Sequence, residues 1–456
     1  MTVTMNIVRS ICKSLGCAAI TVLASLCVSC TDKDLNFGID GDKEGTDYSY
    51  PGNRMAHVES RRVLLFYECG FNSLYNYLRT NMEDDLDQGY LPGNGRNEDV
   101  VLVFSKLARN SNYNDVPSYL RRVYADPEGK VVSDTLRTFP VTTVASSPST
   151  MSEVLNYVKT TFPAKGYGMV YSSHGSGWLP TGYYSSPATF ERLYGRSDGR
   201  KLSAPRMLGV PEGTMETDDP HAGMVRSIGQ DVMSSGSVEM SVSEFASGIP
   251  FHLDYLLFDM CFSAGAEVAY ALRDKASYIG ASPAEVLAAG MYDYTKITGY
   301  LLNGPSSPDL VNLFKDSFDR YDKQSGEYRS ATVTLVKTDG LAGLASVCKT
   351  MFDRYAAEVS QAPVSSIQGY HRLGRHYFWD LEDTFIKCGA SAADLQTLRN
   401  AISQCIAYRN ATPSFLGDFD ITTYSGFSIY LPCAGTATLD YYYKSEPWNV
   451  AVELVK

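Results

Sequence analysis

The chain of 456 residues is long enough to bury a large core and to hold more than one domain. Its content of 44% hydrophobic and 20% charged residues excludes wholesale disorder. The formal net charge of -11 and the lack of a basic stripe argue against nucleic acid as the main partner.

Residues 1–30 are predicted to be a leader rather than part of the fold. A short basic region precedes an apolar run from Leu15 to Val28, which is shorter than a comfortable membrane span. The leader ends in Val28-Ser29-Cys30, which resembles a bacterial lipobox with Cys30 as the lipid-bearing residue. An ordinary secretory signal peptide is the alternative and would make the protein secreted or periplasmic.

Residues 31–58 are polar and are predicted to be a flexible tether. Together with the leader, this tether indicates a protein of the cell envelope, held by lipid at the outer membrane or cell surface. The only membrane contact that we expect is therefore the N-terminal lipid anchor.

Short apolar segments then alternate with helical patterns. Arg62–Tyr67 and Asn97–Phe104 are predicted strands because they are rich in aliphatic and aromatic residues. Thr150 and Ser241 each begin the S/T-x-x-E pattern of a capping box, which predicts the start of a helix at each position. Buried strands that alternate with capped helices are typical of a mainly parallel sheet covered on both faces.

The pattern divides the chain into two parts. Residues 59–340 are predicted to be one α/β domain, and residues 341–456 an additional C-terminal subdomain packed on it. Residues 179–240 interrupt the first part with many Gly, Pro, Ser and Tyr residues, and a loop of this length is usually functional or disordered. The insertion also contains basic residues: Arg192, Arg196, Arg200, Lys201, Arg206 and Arg226.

His174 and Cys261 each follow an apolar predicted strand. Ligands in open α/β sheets collect at the carboxyl ends of the strands, so both side chains are expected at one edge of the sheet. A thiol needs a base or a positive neighbour to form a thiolate near neutral pH. The pair is therefore a candidate nucleophile and base, and Gly175 after the histidine would leave a backbone N–H free to donate.

Each of these residues also has a purely structural interpretation. Cys261 could be a packed cysteine, although the small residues after it suit a tight turn that would present its sulfur at a helix N-terminus. Asp259 lies on the same side of its strand as Cys261, because side chains alternate along a strand. It could form a structural salt bridge, or it could bind an arginine or lysine side chain of a substrate.

These residues resemble motifs of the clostripain family of cysteine peptidases, which belongs to the caspase-like group and has gingipains and legumains as more distant relatives. The two central motifs are His174-Gly-Ser-Gly-Trp178 and Asp259-Met-Cys261. Further similar segments are Glu68–Leu74, Gly280–Glu285, Trp379–Asp383 and Gly426–Pro432. The resemblance spans roughly residues 60–450.

The resemblance implies a caspase-like three-layer α/β/α sandwich, with residues 59–340 as the catalytic domain. It implies a dyad of His174 and Cys261 that cleaves protein or peptide substrates through an acyl-enzyme. The backbone amides of Gly175 and Cys261 would form the oxyanion hole, and Asp259 would lie in the S1 pocket for a basic P1 residue.

The chain departs from the family pattern at two points. The insertion at residues 179–240 separates the histidine and the cysteine widely, and some members of the family cut themselves in this region. A second acid for the S1 pocket has two candidates, Glu285 and Asp293. The chemistry requires no cofactor and no metal ligand is predicted, but some family members respond to calcium (Ca²⁺).

The alternative from another class is a non-catalytic surface lipoprotein that binds peptide or glycan on a peptidase-like scaffold. The 32 tyrosines and the leader favour such a protein as much as they favour an enzyme. Within the enzyme class, the sequence does not separate transpeptidation from hydrolysis.

Overall fold

A nine-stranded sheet forms the centre of the molecule. The computed structural model describes residues 58–184, 186–194, 227–233, 236–372 and 376–456. The predicted leader with Cys30 lies outside these residues, as do nearly all of the tether and residues 195–226 of the insertion. The strands are β1 (Val58–Gly70), β2 (Val100–Leu107), β3 (Ser118–Ala125), β4 (Val131–Phe139), β5 (Ala164–Ser172), β6 (Ile228–Met233), β7 (Gly236–Met240), β8 (Leu253–Asp259), β9 (Ala276–Ala281), β10 (Thr332–Lys337), β11 (Trp379–Asp380), β12 (Ile406–Ala411), β13 (Ser414–Phe415), β14 (Phe419–Asp420) and β15 (Ser428–Ile429).

Helices connect most of these strands. They are α1 (Tyr75–Arg79), α2 (Pro148–Thr161), α3 (Pro187–Tyr194), α4 (Val242–Gly248), α5 (Ala266–Ala271), α6 (Ile297–Leu302), α7 (Leu310–Asp322), α8 (Leu341–Arg354), α9 (Ala356–Ser360), α10 (Leu381–Lys387), α11 (Ala392–Cys405), α12 (Ala437–Tyr443) and α13 (Pro447–Val452). A π-helical segment, Thr80–Asp85, continues from α1. The predicted insertion therefore contains regular structure, since α3 and the β6–β7 hairpin lie within it.

The strand order of the sheet is β12-β10-β9-β8-β5-β1-β2-β3-β4. The five central strands, from β9 to β2, are parallel. The pairs at both ends are antiparallel, and the connections from β2 to β3 and from β3 to β4 are too short for a parallel crossover. The predicted α/β architecture is confirmed, with its parallel part at the centre of the sheet.

The two faces of the sheet are covered by different helices. Along β1, Val63 and Leu65 belong to one hydrophobic cluster, and Leu64 and Phe66 belong to another. Side chains of α2, α4, α5 and α8 join the first cluster, and those of α6 and α7 join the second. Both faces of the central strands are thus buried, which explains their continuous apolar runs and gives the predicted three layers.

One of the two predicted capping boxes is confirmed, and the other is wrong. Ser241 caps α4, with its side chain accepting from the Glu244 N–H while the Glu244 carboxylate accepts from the Ser241 N–H. Helix α2 instead begins at Pro148, and its cap is Ser147, whose side chain accepts from the Thr150 N–H. Proline suits the first helical position and favours an extended residue before it, so the helix begins earlier than Thr150.

The residues after 340 extend both the sheet and the core. Strand β12 forms one edge of the sheet, antiparallel to β10. Side chains of α10, α11, α12 and α13 belong to the same hydrophobic cluster as those of α2. The division of the chain at residue 340 stays a prediction. In the described part of the chain, no helix has both the length and the apolar character needed to cross a membrane.

Candidate active site

His174 and Cys261 follow neighbouring parallel strands at equivalent positions. Ser172 of β5 pairs in register with Asp259 of β8, and the histidine and the cysteine each lie two residues further on. Neighbouring strands lie about 4.8 Å apart, so the register brings the two side chains to adjacent positions at the carboxyl edge of the sheet. The sequence predicted this shared edge from the two apolar runs alone.

The loops that follow the two strands pack tightly on each other. A Cβ atom added at Gly175 would lie 2.3 Å from the Met260 side chain, and one added at Gly177 would lie 2.6 Å from the Phe262 carbonyl oxygen. Gly177 also has a φ of +62°, which L-residues with a side chain rarely adopt. The glycines after His174 therefore allow its loop to contact the Cys261 loop.

The His174 imidazole is buried, with only 6% of the residue exposed. Its Nε2 lies 2.9 Å from the Ser73 hydroxyl, which belongs to the segment after β1. The carbonyl oxygen of His174 accepts a hydrogen bond of 3.0 Å from the Gly229 N–H in β6. The side chain of His174 thus contacts the segment after β1, and its backbone contacts β6. Neither segment is close to His174 in the sequence.

The Cys261 thiol is partly buried and bonds to the backbone of Val286. The Val286 N–H donates to Sγ at 3.3 Å, and the thiol lies 3.7 Å from the Val286 carbonyl oxygen. Burial, followed by the negative charge of Glu285, raises the pKa of the thiol to about 12. In this conformation the sulfur is therefore protonated near neutral pH and needs a base to become a nucleophile.

The turn after Cys261 differs from the expected arrangement. Helix α5 begins only at Ala266, with Gly265 as its N-cap. The sulfur is therefore not in the first turn of a helix, and the macrodipole of α5 does not account for any activation of the thiol.

Two backbone amides are available at this edge. Gly175 forms a bridge with Ile228, but the hydrogen bonds of that bridge are made by Ser176 and Gly229. Among the described residues, neither the Gly175 N–H nor the Cys261 N–H donates a hydrogen bond. Both amides can therefore donate to a ligand, as an oxyanion hole requires.

Asp259 is buried at the end of β8, two residues before Cys261. Its carboxylate accepts from the Met291 N–H at 2.6 Å and from the Tyr294 hydroxyl at 2.8 Å. Burial raises the pKa of Asp259, although these two hydrogen bonds and the charge of Arg320 oppose the rise. Within the residues that the structure covers, its partners are an amide and a hydroxyl rather than a cation, so the carboxylate retains capacity to accept from a ligand.

The two candidates for a second pocket acid occupy different surroundings. Glu285 adjoins Val286 beside the Cys261 thiol and forms an ion pair with Arg372. The Asp293 carboxylate accepts from Thr295 and pairs with Lys296 at 3.0 Å. Partial burial acts to raise the pKa of Asp293, but the hydrogen bonds from Thr295 and Lys296 outweigh it, so the pKa is lowered. Glu285 therefore lies near the Cys261 thiol, whereas the Asp293 carboxylate contacts Thr295 and Lys296.

Three residues near His174 and Cys261 were not predicted as site residues. Ser73 contacts the imidazole, Arg372 pairs with the acid beside the thiol, and the buried acid Glu68 lies at the end of β1. Glu68 comes at the end of an apolar run just as Asp259 does, so the sequence pattern could have indicated it as a site residue. No sequence pattern indicates Arg372, because its contact with Glu285 joins two segments that are far apart in the sequence.

The described residues contain no group of three or more His, Cys, Asp or Glu side chains arranged to hold a metal ion. We assign no residues to calcium. The six cysteines in this part of the chain are free thiols, of which Cys261 is intermediate in burial and Cys433 is exposed.

The sequence matches a model of the Peptidase_C11 clostripain family over residues 213–444, which is just over half of the chain. The matched region includes Cys261 and begins after His174. No curated protein sequence matches the chain.

Three solved structures share the fold. An inactive zymogen of a C11 protease from Parabacteroides distasonis is 23% identical, with a TM-score of 0.65 and coverage of 87% of this chain and 99% of that chain. A secreted C11 cysteine protease from Bacteroides thetaiotaomicron with an irreversible peptide inhibitor is 20% identical, with a TM-score of 0.65 and coverage of 87% and 99%. A structure of the secreted C11 protease of that species called iotapain is 21% identical, with a TM-score of 0.64 and coverage of 86% and 99%. These similarities confirm the predicted caspase-like fold.

Proposed function

The chain belongs to the clostripain family of cysteine endopeptidases, and on this premise we propose that it cleaves proteins or peptides after arginine or lysine with Cys261 as nucleophile and His174 as base. The observation that supports the proposal most is the register of Ser172 with Asp259. It brings a thiol, an imidazole and a buried carboxylate to one edge of the sheet.

The proposed reaction begins with proton transfer from the Cys261 thiol to the neutral His174 imidazole. The sulfur then attacks the carbonyl carbon of the substrate, and the carbonyl oxygen becomes an oxyanion that accepts from the Gly175 and Cys261 amides. The imidazolium donates its proton to the departing amine as the C–N bond breaks, which leaves an acyl-enzyme. Water, deprotonated by the same imidazole, then releases the acid and restores the thiol.

The proposed preference for a basic P1 residue rests on Asp259. In the described part of the fold, the hydrogen-bond partners of this buried carboxylate are an amide and a hydroxyl, and Arg320 acts on it only through its charge, so the carboxylate is suited to bind a guanidinium or ammonium group. Asp259 lies two residues before Cys261. A long P1 side chain can reach this carboxylate when the carbonyl carbon of the substrate lies at the Cys261 sulfur.

We also propose that the uncut chain is a precursor that cleaves itself within residues 179–240. Burial, followed by the charge of Glu285, raises the pKa of the thiol to about 12, and this supports a form that is not yet active. One basic residue of the insertion, Arg192, is exposed at the end of α3, and the other basic sites lie outside the described residues. A structural relative is described as an inactive zymogen. Intact mass should show a cut wild-type chain and an uncut Cys261→Ala chain, and an active wild type that remains uncut would overturn this proposal.

The proposed location is the cell envelope, with a lipid on Cys30. The lipobox-like sequence supports this, and one structural relative is described as secreted. Expression in a bacterial host with labelled palmitate should label the wild type, and Cys30→Ala should lose the label and leave the membrane fraction. Equal membrane retention of Cys30→Ala would contradict the lipid anchor.

The experiment that tests the peptidase proposal is a digest of a positional peptide library by the wild type beside Cys261→Ala. The proposal predicts cleavage after arginine and lysine by the wild type and background cleavage by the variant. Full activity of Cys261→Ala would overturn the role of the thiol, whereas cleavage after uncharged residues would overturn only the basic preference. A protein that cleaves nothing and has a thiol inert to iodoacetamide would fit the binding scaffold instead.

A further inference from the structure

Glu68 is a buried acid that none of the catalytic steps above uses. It lies in β1, two residues before the end of that strand, and its side chain is fully buried. Among the described residues, neither of its carboxylate oxygens accepts a hydrogen bond. A buried carboxylate without donors is costly, so its presence calls for a functional explanation.

The sheet register places Glu68 beside Asp259. Glu68 of β1 pairs with Ser172 of β5, and Ser172 pairs in turn with Asp259 of β8. Side chains at paired positions of neighbouring parallel strands point to the same face, so the three form one polar row. The two acids are two strand spacings apart, about 10 Å between Cα atoms. The small Ser172 side chain lies between them, and its hydroxyl is 3.1 Å from that of Tyr294.

This row lies directly below the dyad. His174 and Cys261 are each two residues beyond Ser172 and Asp259, and the charge of Asp259 is close enough to raise the pKa of the Cys261 thiol. A side chain that extends from a carbonyl group at the sulfur into this face would therefore meet the row of Glu68, Ser172 and Asp259.

The hydroxyls beside Glu68 are mostly engaged by other groups. The Tyr294 hydroxyl donates to Asp259 at 2.8 Å, and the Ser172 hydroxyl lies 3.1 Å from Tyr294. Since the proton of Tyr294 is directed to Asp259, the one proton of Ser172 has two nearby acceptors, Tyr294 and Glu68, and among the described residues no further hydroxyl serves Glu68.

A second polar group at the same place also lacks a partner. The side-chain nitrogen of Asn81 is buried and donates to no other described residue. A Cβ atom added at Gly290 would lie 2.6 Å from the Asp259 carboxylate and 3.4 Å from this nitrogen. An unpaired donor and an unpaired acceptor thus lie near Asp259, and both could bind a polar group.

The electrostatics agree with this geometry. Burial, followed by the charge of Asp259, raises the pKa of Glu68 well above its ordinary range, and the nearby Ser172 hydroxyl only partly opposes the rise. Two carboxylates in one buried row repel each other when both are ionised, and a cation between them would remove that repulsion.

We propose that Glu68 is the second acid of the S1 pocket and that, together with Asp259, it receives the guanidinium or ammonium group of the P1 side chain. This inference rests on the proposed cleavage after basic residues. It assigns to Glu68 the position for which the sequence offered Glu285 and Asp293.

The test compares three peptides that differ only at P1, which is arginine, lysine or citrulline, the uncharged analogue of arginine. The full-length wild type, after any self-cleavage, is compared with Glu68→Gln. The variant should lose about tenfold to a hundredfold in kcat/KM for arginine and lysine, the size of one lost charge-assisted hydrogen bond, and should keep its kcat/KM for citrulline. Glu68→Asp, which keeps the charge on a shorter side chain, should retain part of the preference.

The matched control is Glu267→Gln. Glu267 is also fully buried with one unpaired oxygen, but its other oxygen accepts from Tyr430 and Tyr443 on the opposite face of the sheet. Its ratio of arginine to citrulline cleavage should equal that of the wild type. The melting temperature of Glu68→Gln should not fall below the wild-type value, because an unpaired buried carboxylate is replaced by a neutral amide.

The outcomes separate the two proposals. A wild type that prefers arginine to citrulline, with an unchanged ratio in a folded Glu68→Gln, overturns the role of Glu68 and leaves the proposed function intact. If Glu68→Gln does not fold, Glu68→Asp is used instead. An unchanged ratio of arginine to citrulline cleavage in Glu68→Asp would likewise overturn the role of Glu68. A wild type without any preference for arginine overturns the basic specificity itself.

Discussion

The backbone of Val286 holds the Cys261 thiol, with the Val286 N–H donating to Sγ at 3.3 Å and the Val286 carbonyl oxygen 3.7 Å from the same atom. Val286 follows Glu285, whose charge opposes ionisation of the sulfur. Burial and the charge of Glu285 therefore keep the Cys261 thiol protonated in this form of the chain, although the Val286 N–H acts in the opposite direction. Release of the thiol is a condition for catalysis.

Alkylation of Cys261 in the uncut chain should depend steeply on pH. Burial, followed by the charge of Glu285, raises the pKa of the thiol to about 12, and only the thiolate reacts. The rate of labelling by iodoacetamide should rise about tenfold per pH unit from about pH 7 to about pH 10. Mass spectrometry of the Cys261 peptide measures this rate separately from that of the exposed Cys433. A plateau near neutral pH would mean that the uncut chain already holds a thiolate.

Replacing Glu285 should make this thiol more reactive. Glu285→Gln removes the charge that raises the pKa of Cys261 and leaves Arg372, whose charge lowers it. At a fixed pH we expect alkylation of the uncut chain to become about threefold to tenfold faster. Asp293→Asn is the control, because that carboxylate is engaged with Thr295 and Lys296. Equal acceleration by both variants would indicate a general loosening rather than a local charge effect.

Gly177→Ala should displace the histidine loop. A Cβ atom there would lie 2.6 Å from the Phe262 carbonyl oxygen, and the φ of +62° is strained for alanine. We expect a loss of about 1–2 kcal/mol in the free energy of unfolding, together with a larger loss of peptidase activity. Urea denaturation and peptide hydrolysis measure the two effects. Gly343→Ala in α8 is the control, because nothing lies within 4 Å of its added Cβ, and it should be neutral or stabilise by up to about 1 kcal/mol.

Glu446→Gln should flatten the dependence of stability on pH. Burial, followed by the charge of Glu267, raises the pKa of Glu446 from 4.5 to about 8. The folded chain therefore binds a proton that the unfolded chain has released, and stability falls as pH rises between these two values. The variant should equal the wild type near pH 4.5 and exceed it by about 4 kcal/mol near pH 8. A constant difference between the two proteins across this range would contradict the assigned pKa.

The sequence predicted those parts of the site that depend on local pattern. His174, Asp259 and Cys261 each come at the end of an apolar run, and such runs mark strands buried on both faces. Parallel pairing then brings the ends of the runs to one edge. The same rule applies to Glu68, whose strand was predicted although its acid was not singled out.

The remaining features depend on contacts between distant segments. Glu285 and Asp293 follow the same strand, and only the paths of the chain decide that one meets Arg372 and the other Lys296. The predicted start of α2 was wrong for a different reason, which lies within the local sequence. Thr150 and Glu153 match a capping box, but the proline at position 148 sets the start of the helix and moves the cap to Ser147.

The central claim is that Cys261 is a nucleophile that depends on His174, and covalent labelling tests it most directly. A peptidyl acyloxymethyl ketone with arginine at P1 should add once to the wild type, and peptide mass spectrometry should locate the adduct on Cys261. The adduct should be absent from Cys261→Ala and should form far more slowly in His174→Ala. An adduct on another cysteine, or an unchanged labelling rate in His174→Ala, would contradict the dyad.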